Sequence, residues 1–498
     1  MKVYSPKFLG NIRLNHRWIK PAGYDTGIKI FNCIAKDKVP LVLRNKEYVS
    51  WYTCGPTVYD SAHIGHASCY IKLDIIQRIL RKHFAIKLVT VMNVTDIDDK
   101  IINKSIETKT PINEIAKYYE KEFWEDMKSL DVMQPNIIVR VTENLPLIER
   151  FVTKLLDKGV AYHNNEGSVV FNIGDYGKLQ HVPRAAEGPP YANFTIWKAS
   201  KEHEGNWNMK YTSGRPGWHT ECAALASSFF GSTLDFHTGG DDLRFPHHEN
   251  EEAQCCSYFS KPQWVNYWIH TGHLMTRSTK MSKSLKNTTS IRSLLQLCSA
   301  NTFRMMCIMS HYRNSMEFTP DYVHSAEKRL DMFKNFLVSC NLIINGNLKA
   351  CIDVKTLKKV LKDSEEEVHH SLCNDFDTAQ CIKILENLMH VVNKSIYTQN
   401  ESLDEDNQAV LTIHFVKNFV LGTLSLFGLN LEAVSSSKEI SDFNEILNIL
   451  IEFRHNIRLL AIESKNKVIL ELCDEVRKNL IRNGINVQDR KSHSTWSK

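Results

Sequence analysis

The sequence predicts an α/β region built on a parallel sheet, interrupted by an insertion and followed by an all-α tail. Three observations carry this. From about residue 28 to 140, short β-branched apolar runs alternate with amphipathic stretches, and the alternation resumes from about 211 to 300. Between them, 141–210 is rich in turn residues. From 301 to 498, Gly and Pro become scarce and helical periodicity dominates. At 498 residues the chain exceeds one ordinary core, which predicts about two to four domains.

The elements follow in order. Residues 1–27 form an N-terminal extension whose first 24 residues hold Lys2, Lys7, Arg13, Arg17 and Lys20 and no acid. That is the composition of a mitochondrial targeting segment, although a single Ser and a poor amphipathic pattern leave a plain basic arm as the alternative. "SWYTCG" (50–55) and "IKLVTVMNVT" (86–95) read as buried strands, and "YIKLDIIQRILRKHF" (70–84) between them reads as a helix. Strand, helix, strand is a βαβ unit, which makes the sheet parallel. In the insertion, "TENLPLIERFVTKLLDKGV" (142–160) reads as a helix and "AYHNNEGSVVFNI" (161–173) as a hairpin, ahead of the Gly/Pro-rich "RAAEGPPYAN" (184–193). In the tail, Phe333, Phe336, Leu337 and Cys340 share one helical face, and Ile446, Leu447, Leu450 and Phe453 share another.

Composition limits the function classes. No run of eighteen apolar residues is present, so no transmembrane helix is expected. A net charge of +6 suits a polyanionic partner without requiring one. The 13 cysteines are scattered and lack CxxC pairs, and Cys255 and Cys256 are adjacent, a poor arrangement for a mutual disulfide. A reducing compartment is expected, with most thiols as small buried hydrophobes and one or two as ligands.

Three stretches carry chemistry. "YDSAHIGHA" (59–67) places His63 and His66 around Gly65 where a strand gives way to a helix, a natural site for phosphate, although taken alone such an HxxH is more often incidental or metal-like. "STKMSKSLKN" (278–287) offers Lys280 and Lys283, ammonium groups able to neutralise charge on a leaving pyrophosphate, although taken alone a generic lysine-rich surface loop is the commoner reading. "FPHHENEEAQ" (245–254) contains two i,i+4 pairs, His247 with Glu251 and His248 with Glu252, with Pro246 suited to the first turn. Helical spacing allows a metal or a solvated face, and does not choose between the pairs.

"HIGH" near the first strand and "KMSKS" after the last resemble the signature pair of class I aminoacyl-tRNA synthetases. With "CGPTVYD", "NVTDIDDKI", "RPGWHTEC", "HTGGDDLRFPHHENEEAQ", "HYRNSMEFT", "NDFDTA" and "GINVQDRKSHSTW", the chain from about residue 28 onward resembles cysteinyl-tRNA synthetase, most closely the mitochondrial branch. The resemblance implies a Rossmann-like catalytic domain, an anticodon-binding helical region, and two steps. Cysteine carboxylate attacks the α-phosphate of ATP, and the tRNA ribose hydroxyl then takes the acyl group.

The resemblance also implies site residues. It maps zinc (Zn2+) ligands onto Cys54, Cys222, His247 and Glu251, a credible donor set. Zinc favours thiolate over alcohol, and about 6 kcal/mol of preference gives discrimination of roughly 10⁴ between cysteine and serine. Four protein ligands normally close a site, so substrate must enlarge the shell or displace a weak ligand, for which Glu251 is the candidate. ATP, accompanied by Mg2+, is assigned to His63, His66, Gly239, Gly240, Asp242 and Lys283, with His63, His66, Lys280 and Lys283 catalytic. Gly55, Thr95, Trp218 and His237 are assigned to L-cysteine. Arg454, Arg458, Arg477 and Arg482 offer charge for phosphates of the cysteine tRNA. A monomer in the mitochondrial matrix is expected, the cytoplasm being the alternative.

Some residues depart from the family pattern. Asn193 opens "NFTIWK" where relatives usually carry Asp. Lys100 is kept, but Asn103 stands where relatives often place a second lysine, which leaves open the family's pyridoxal-phosphate-dependent persulfide activity. Two rival readings are a mycothiol-type cysteine ligase and a catalytically inactive zinc/RNA-binding protein. The helical tail argues against the first, and the intact motifs against the second.

Overall fold

A computed structural model describes residues 18–173, 193–200, 207–208, 213–276, 279–280, 289–348, 352–397, 407–431, 439–483, 485–489 and 494–497. It divides into two compact units, residues 1–429 and 430–498.

The first unit is organised by five strands: β1 (Val49–Thr53), β2 (Leu88–Val94), β3 (Ile137–Arg140), β4 (Leu234–Gly240) and β5 (Val265–Thr271). Their spatial order is β3-β2-β1-β4-β5 and every pairing is parallel. All five residues of β1 are buried, because the sheet is covered on both faces and its centre reads as unbroken apolar sequence. This is the parallel sheet expected from the βαβ pattern, and the Rossmann-like one that the resemblance implies. Strand order reverses between β1 and β4, and the crevice at their carboxyl ends is where such sheets place ligands.

Three helices frame that crevice: α1 (Ile64–Arg78), α2 (Trp218–Phe230) and α3 (Glu249–Phe259). α1 buries Ile64, Ala67, Ile71, Leu73, Ile75 and Ile76, on most of its circumference. α3 starts at Glu249, later than a first turn at Pro246 implies. The preceding residues Arg244–His248 form a wider turn, broken where Phe245 adopts an extended backbone.

Between β3 and β4 lies an antiparallel sheet of five short strands within Ala161–Pro216. Helix Leu145–Asp157, read from sequence as part of the insertion, packs on α2 and α3. Asn193, the departure from the family pattern, closes this sheet. Its carbonyl accepts the Ile173 amide at 3.1 Å and its amide donates to Tyr162 at 3.2 Å. Lys198 and Arg215 anchor the sheet to Asp99 of "DIDDK".

Two stretches noted for resemblance turn out to meet as a joint. Asp375 of "NDFDTA" accepts from Tyr312 at 2.7 Å and Arg313 at 2.9 Å, both in "HYRNSMEFT", and from the Phe31 amide at 2.9 Å. Residues 18–27 are not all extension: Trp18 donates to the Asn266 carbonyl at 2.9 Å, and a strand begins at Tyr24. The expected targeting residues up to Arg17 lie outside the described residues.

Helices Pro320–Ile344, Val354–Cys373, Thr378–Tyr397 and Asn407–Leu426 complete this unit. Phe333, Phe336 and Cys340 are buried on the expected face. Asn407–Leu426 contains a stretch long and apolar enough to cross a membrane, and buries Ile413, Val416, Val420 and Leu424. The twelve cysteines among the described residues are all free, Cys255 and Cys256 included.

In the second unit, helices Glu439–Glu463 and Lys467–Arg482 pack with a hairpin of Asn486–Asp489 and Ser494–Ser497. The buried face differs from the expected one. Leu447 and Ile451 meet Leu480, Ile485 and Val487, while Ile446, Leu450 and Phe453 are exposed. Arg454 is also buried, its guanidinium on Asp489 at 2.7 Å and on the Cys473 carbonyl. It is a structural ion pair rather than a group offered to phosphate. Arg458 and Arg477 lie 3.8 Å from the same carboxylate, and Arg482 is exposed.

Candidate active site

The carboxyl ends of β1 and β4 and the starts of α2 and α3 bring four distant residues together. Cys54 follows β1, with its amide bonded to the Thr238 carbonyl of β4. Cys222 lies in the second turn of α2, His247 just before α3 and Glu251 in its first turn. The Cys54 sulfur is 3.7 Å from that of Cys222, 3.5 Å from His247 Nε2 and 3.7 Å from Glu251 Oε1. His247 Nε2 is 3.0 Å from Glu251 Oε1. A tetrahedral shell with bonds of about 2.0–2.3 Å has edges of about 3.3–3.8 Å. Three of these four separations match it, and the nitrogen–oxygen edge is slightly shorter.

A second overlapping set contains Cys54, His237, His248 and Glu251, again with all donor atoms within 4.8 Å of one another. The ambiguity between the two i,i+4 pairs is thereby resolved for the glutamates. Glu252 points away and accepts the Trp264 and Val265 amides at 2.8 and 3.2 Å, capping the start of β5. His248 does reach Cys54, at 3.5 Å, and its other nitrogen meets His270 at 2.8 Å.

Burial sets the protonation of these groups. Desolvation raises the Cys54, Cys222 and Glu251 acids and lowers His247 and His248 well below the ordinary imidazole range. His237 and His270 fall to about 3 and His219 to about 4, also through burial. Burial thus disfavours charge on each of them until a cation is present to offset it. Outer contacts hold their orientation: His247 Nδ1 faces His219 Nδ1 at 2.9 Å, and Glu251 Oε2 lies 2.8 Å from His237 Nε2.

The expected amino-acid residues surround this cluster. Trp218 is 43% exposed and lies 4.3 Å from the His247 ring, a surface against which a small ligand can rest. Gly55 approaches Asn93 so closely that a Cβ would meet its carbonyl oxygen at 1.6 Å. Thr95, buried after β2, donates to Glu221 at 3.1 Å. His237 is fully buried and supports Glu251 from behind. Sequence reasoning missed Asn93, whose side-chain Oδ1 accepts the Gly55 amide at 2.9 Å and lies 3.6 Å from the Cys222 sulfur. It also missed His219 and His270. His219 had a signal, standing three residues before Cys222 on α2. Strand residue His270 had none.

The nucleotide residues lie along the same edge. His63 caps α1, its Nδ1 accepting the Gly65 amide at 3.1 Å, and His66 Nδ1 accepts the His63 amide at 3.2 Å. With Nδ1 an acceptor in each ring, the neutral imidazole carries its proton on Nε2, a donor suited to phosphate oxygen. The first turn of α1 contains no acid to offset its positive dipole end. Gly239 and Gly240 end β4, and Asp242 follows, exposed, in the next turn. Lys280 stands on a short strand paired with Met275, its side chain outside the described residues, as is Lys283. The far end of that segment returns to α1, where the Ile64 amide donates to the Thr289 carbonyl at 3.0 Å. A cavity of about 810 Å³ lies elsewhere, against Glu120, Trp124 and Arg140, and none of the expected site residues among the described residues line it.

Comparison with known proteins agrees with this geometry. A family described as tRNA synthetases class I (C) catalytic domain matches residues 41–328. The chain is 37% identical to a Xenopus tropicalis protein named "Probable cysteine--tRNA ligase, mitochondrial", over 96% of this chain and 91% of that one. It is 34% identical to a Dictyostelium discoideum "Cysteine--tRNA ligase, cytoplasmic", over 95% and 78%. Among solved structures, Mycobacterium tuberculosis methionyl-tRNA synthetase bound by methionyl-adenylate shares the fold, with a TM-score of 0.60 at 13% identity, covering 76% of this chain and 92% of that one. The chain belongs to the cysteine–tRNA ligases, a branch of the class I aminoacyl-tRNA synthetases.

Proposed function

We propose that the chain joins L-cysteine to its cognate tRNA through a cysteinyl-adenylate, with Cys54, Cys222, His247 and Glu251 holding a zinc ion that selects the thiol. The observation that carries this reading is the convergence of two sulfurs, an imidazole nitrogen and a carboxylate oxygen at the carboxyl ends of β1 and β4. When bound, zinc supplies a Lewis acid that binds thiolate in preference to alcohol. The two-cysteine set is preferred over the set with His237 and His248 because it offers more sulfur. Glu251 is suited to be the weak ligand, since His237 retains its second oxygen at 2.8 Å if the first is released.

Trp218 orients the amino acid, and Gly55 lets the Asn93 backbone close in beside Cys54. His63 and His66 donate from Nε2 to phosphate oxygens, Gly239 and Gly240 admit the adenosine, and Asp242 meets the ribose. Lys280 and Lys283 stabilise charge on the departing pyrophosphate, accompanied by Mg2+. Positioning and charge stabilisation suffice for such a step without a side-chain base. Exposed Arg482 and half-exposed Arg458 and Arg477 serve the tRNA. The acid-free basic start and the likeness to a relative named mitochondrial support a matrix location.

Cysteine-dependent ATP–pyrophosphate exchange, followed by charging of unfractionated tRNA, tests the reading. Both activities are expected. Exchange without charging would favour a cysteine ligase acting on another acceptor, and absence of both an inactive zinc or RNA binder.

A further inference from the structure

α1 touches the segment bearing Lys280 at two places. At its amino end, Ile64 bonds to Thr289 at 3.0 Å, and His63 bridges to Ser290. Two turns later the Lys72 ammonium donates to the Gly272 carbonyl at 3.2 Å and the Asn314 carbonyl at 3.1 Å. Gly272 directly follows β5 and opens the hairpin of Leu274–Thr276 and Thr279–Lys280. Asn314 leads into Met316–Glu317, which pairs in parallel with Leu274 and Met275. The Gly272 amide meanwhile bonds to the Tyr312 carbonyl at 2.9 Å. Lys72 therefore sits at the fork from which both strands leave.

Lys72 is 1% exposed and makes no ion pair among the described residues. A buried ammonium satisfied by two backbone carbonyls is an expensive way to join elements that apolar packing already holds. The arrangement makes physical sense if position, rather than stability, is what it secures. We infer that Lys72 is a positioning residue for adenylate formation, setting the Lys280 hairpin against His63 and His66 on α1. This rests on the phosphate roles assigned above.

The test uses the full-length enzyme. Lys72→Met removes the donors and the buried charge. Gly272→Ala disturbs the same fork without changing charge, because its Cβ would meet Asn314 backbone atoms at 2.3 Å and the Arg313 carbonyl oxygen at 2.5 Å. Both variants are expected to lower kcat for pyrophosphate exchange by about 10- to 100-fold, with KM for cysteine and zinc content unchanged. Lys72→Met is further expected to keep or raise the apparent Tm. Wild-type kcat in Lys72→Met overturns the inference. So does a parallel fall of kcat, cysteine affinity, zinc content and Tm, the signature of a merely structural lysine. His63→Ala, measured alongside, separates the two levels: lost exchange there with wild-type exchange in Lys72→Met overturns the inference alone. Wild-type exchange in both overturns the underlying reading as well.

Discussion

Two buried polar clusters in the same unit show opposite designs. Around Asp74, one oxygen accepts from Arg78 at 2.8 Å and Arg304 at 2.6 Å, and the other from the Met133 amide at 2.9 Å. Arg304 also donates to the Leu130, Asp131 and Phe427 carbonyls, and Arg78 meets the Asp131 carboxylate at 3.2 Å. Two cations face two carboxylates and the strong donors are used. The cluster of Cys54, Cys222, His247 and Glu251 brings together thiols, imidazole and carboxylic acid that burial drives toward neutrality. No Lys or Arg among the described residues pairs with them, and His237 Nδ1 finds no partner among those residues. A cluster complete in itself fastens elements together; one made of metal-binding donors with no cation beside them among the described residues is built to meet something from outside.

That contrast can be broken at either end. The largest expected effect is on Cys222→Ser, which should lose bound zinc and erode a cysteine-over-serine preference of roughly 10⁴, read from exchange kinetics with each amino acid. Unchanged metal and selectivity would sink the ligand assignment. Asp74→Asn should instead cost about 3–5 kcal/mol of stability, because it removes the carboxylate charge shared by two buried guanidinium groups, while the protein that remains folded keeps its zinc. Denaturant titration with metal analysis checks this, and a variant as stable as wild type would show that the Asp74 cluster fastens nothing.

The smallest effect concerns Asp126, which burial, reinforced by Glu122, pushes up from the usual 3.8 to about 6 despite nearby Arg292. The folded chain then holds this proton longer than the unfolded chain. Stability should therefore fall as pH rises from about 4 to about 6, then level off. Asp126→Asn should remove that slope, worth about 1 kcal/mol after solvent screening. Parallel stability curves for wild type and variant across this range would contradict the assignment.

Much of this was legible in the sequence, and the failures have physical causes. The parallel sheet followed from short apolar strands around an amphipathic helix, since "SWYTCG" and "IKLVTVMNVT" became neighbours β1 and β2. The four proposed ligands came from family motifs, and the fold brings them within contact of one another. Spacing could not choose between Glu251 and Glu252, because that depends on where β5 begins, and the backbone there claims Glu252. Asn93, His219 and His270 escaped notice because they act through contacts set by strand register and helix packing. In the second unit, Ile446, Leu447, Leu450 and Phe453 share a helical face but only Leu447 is buried, because periodicity reveals an apolar face without saying what covers it. Asp489 on the following hairpin explains Arg454, a partner 35 positions away that no local pattern indicates.

The central claim is that a metal held by Cys54, Cys222, His247 and Glu251 reads the substrate thiol. Cobalt substitution tests it most directly, since thiolate ligation gives a charge-transfer absorption. Titrating the cobalt-loaded protein with cysteine should intensify that band, while serine should leave it unchanged. A spectrum indifferent to cysteine, or a protein that binds no cobalt, would contradict the account.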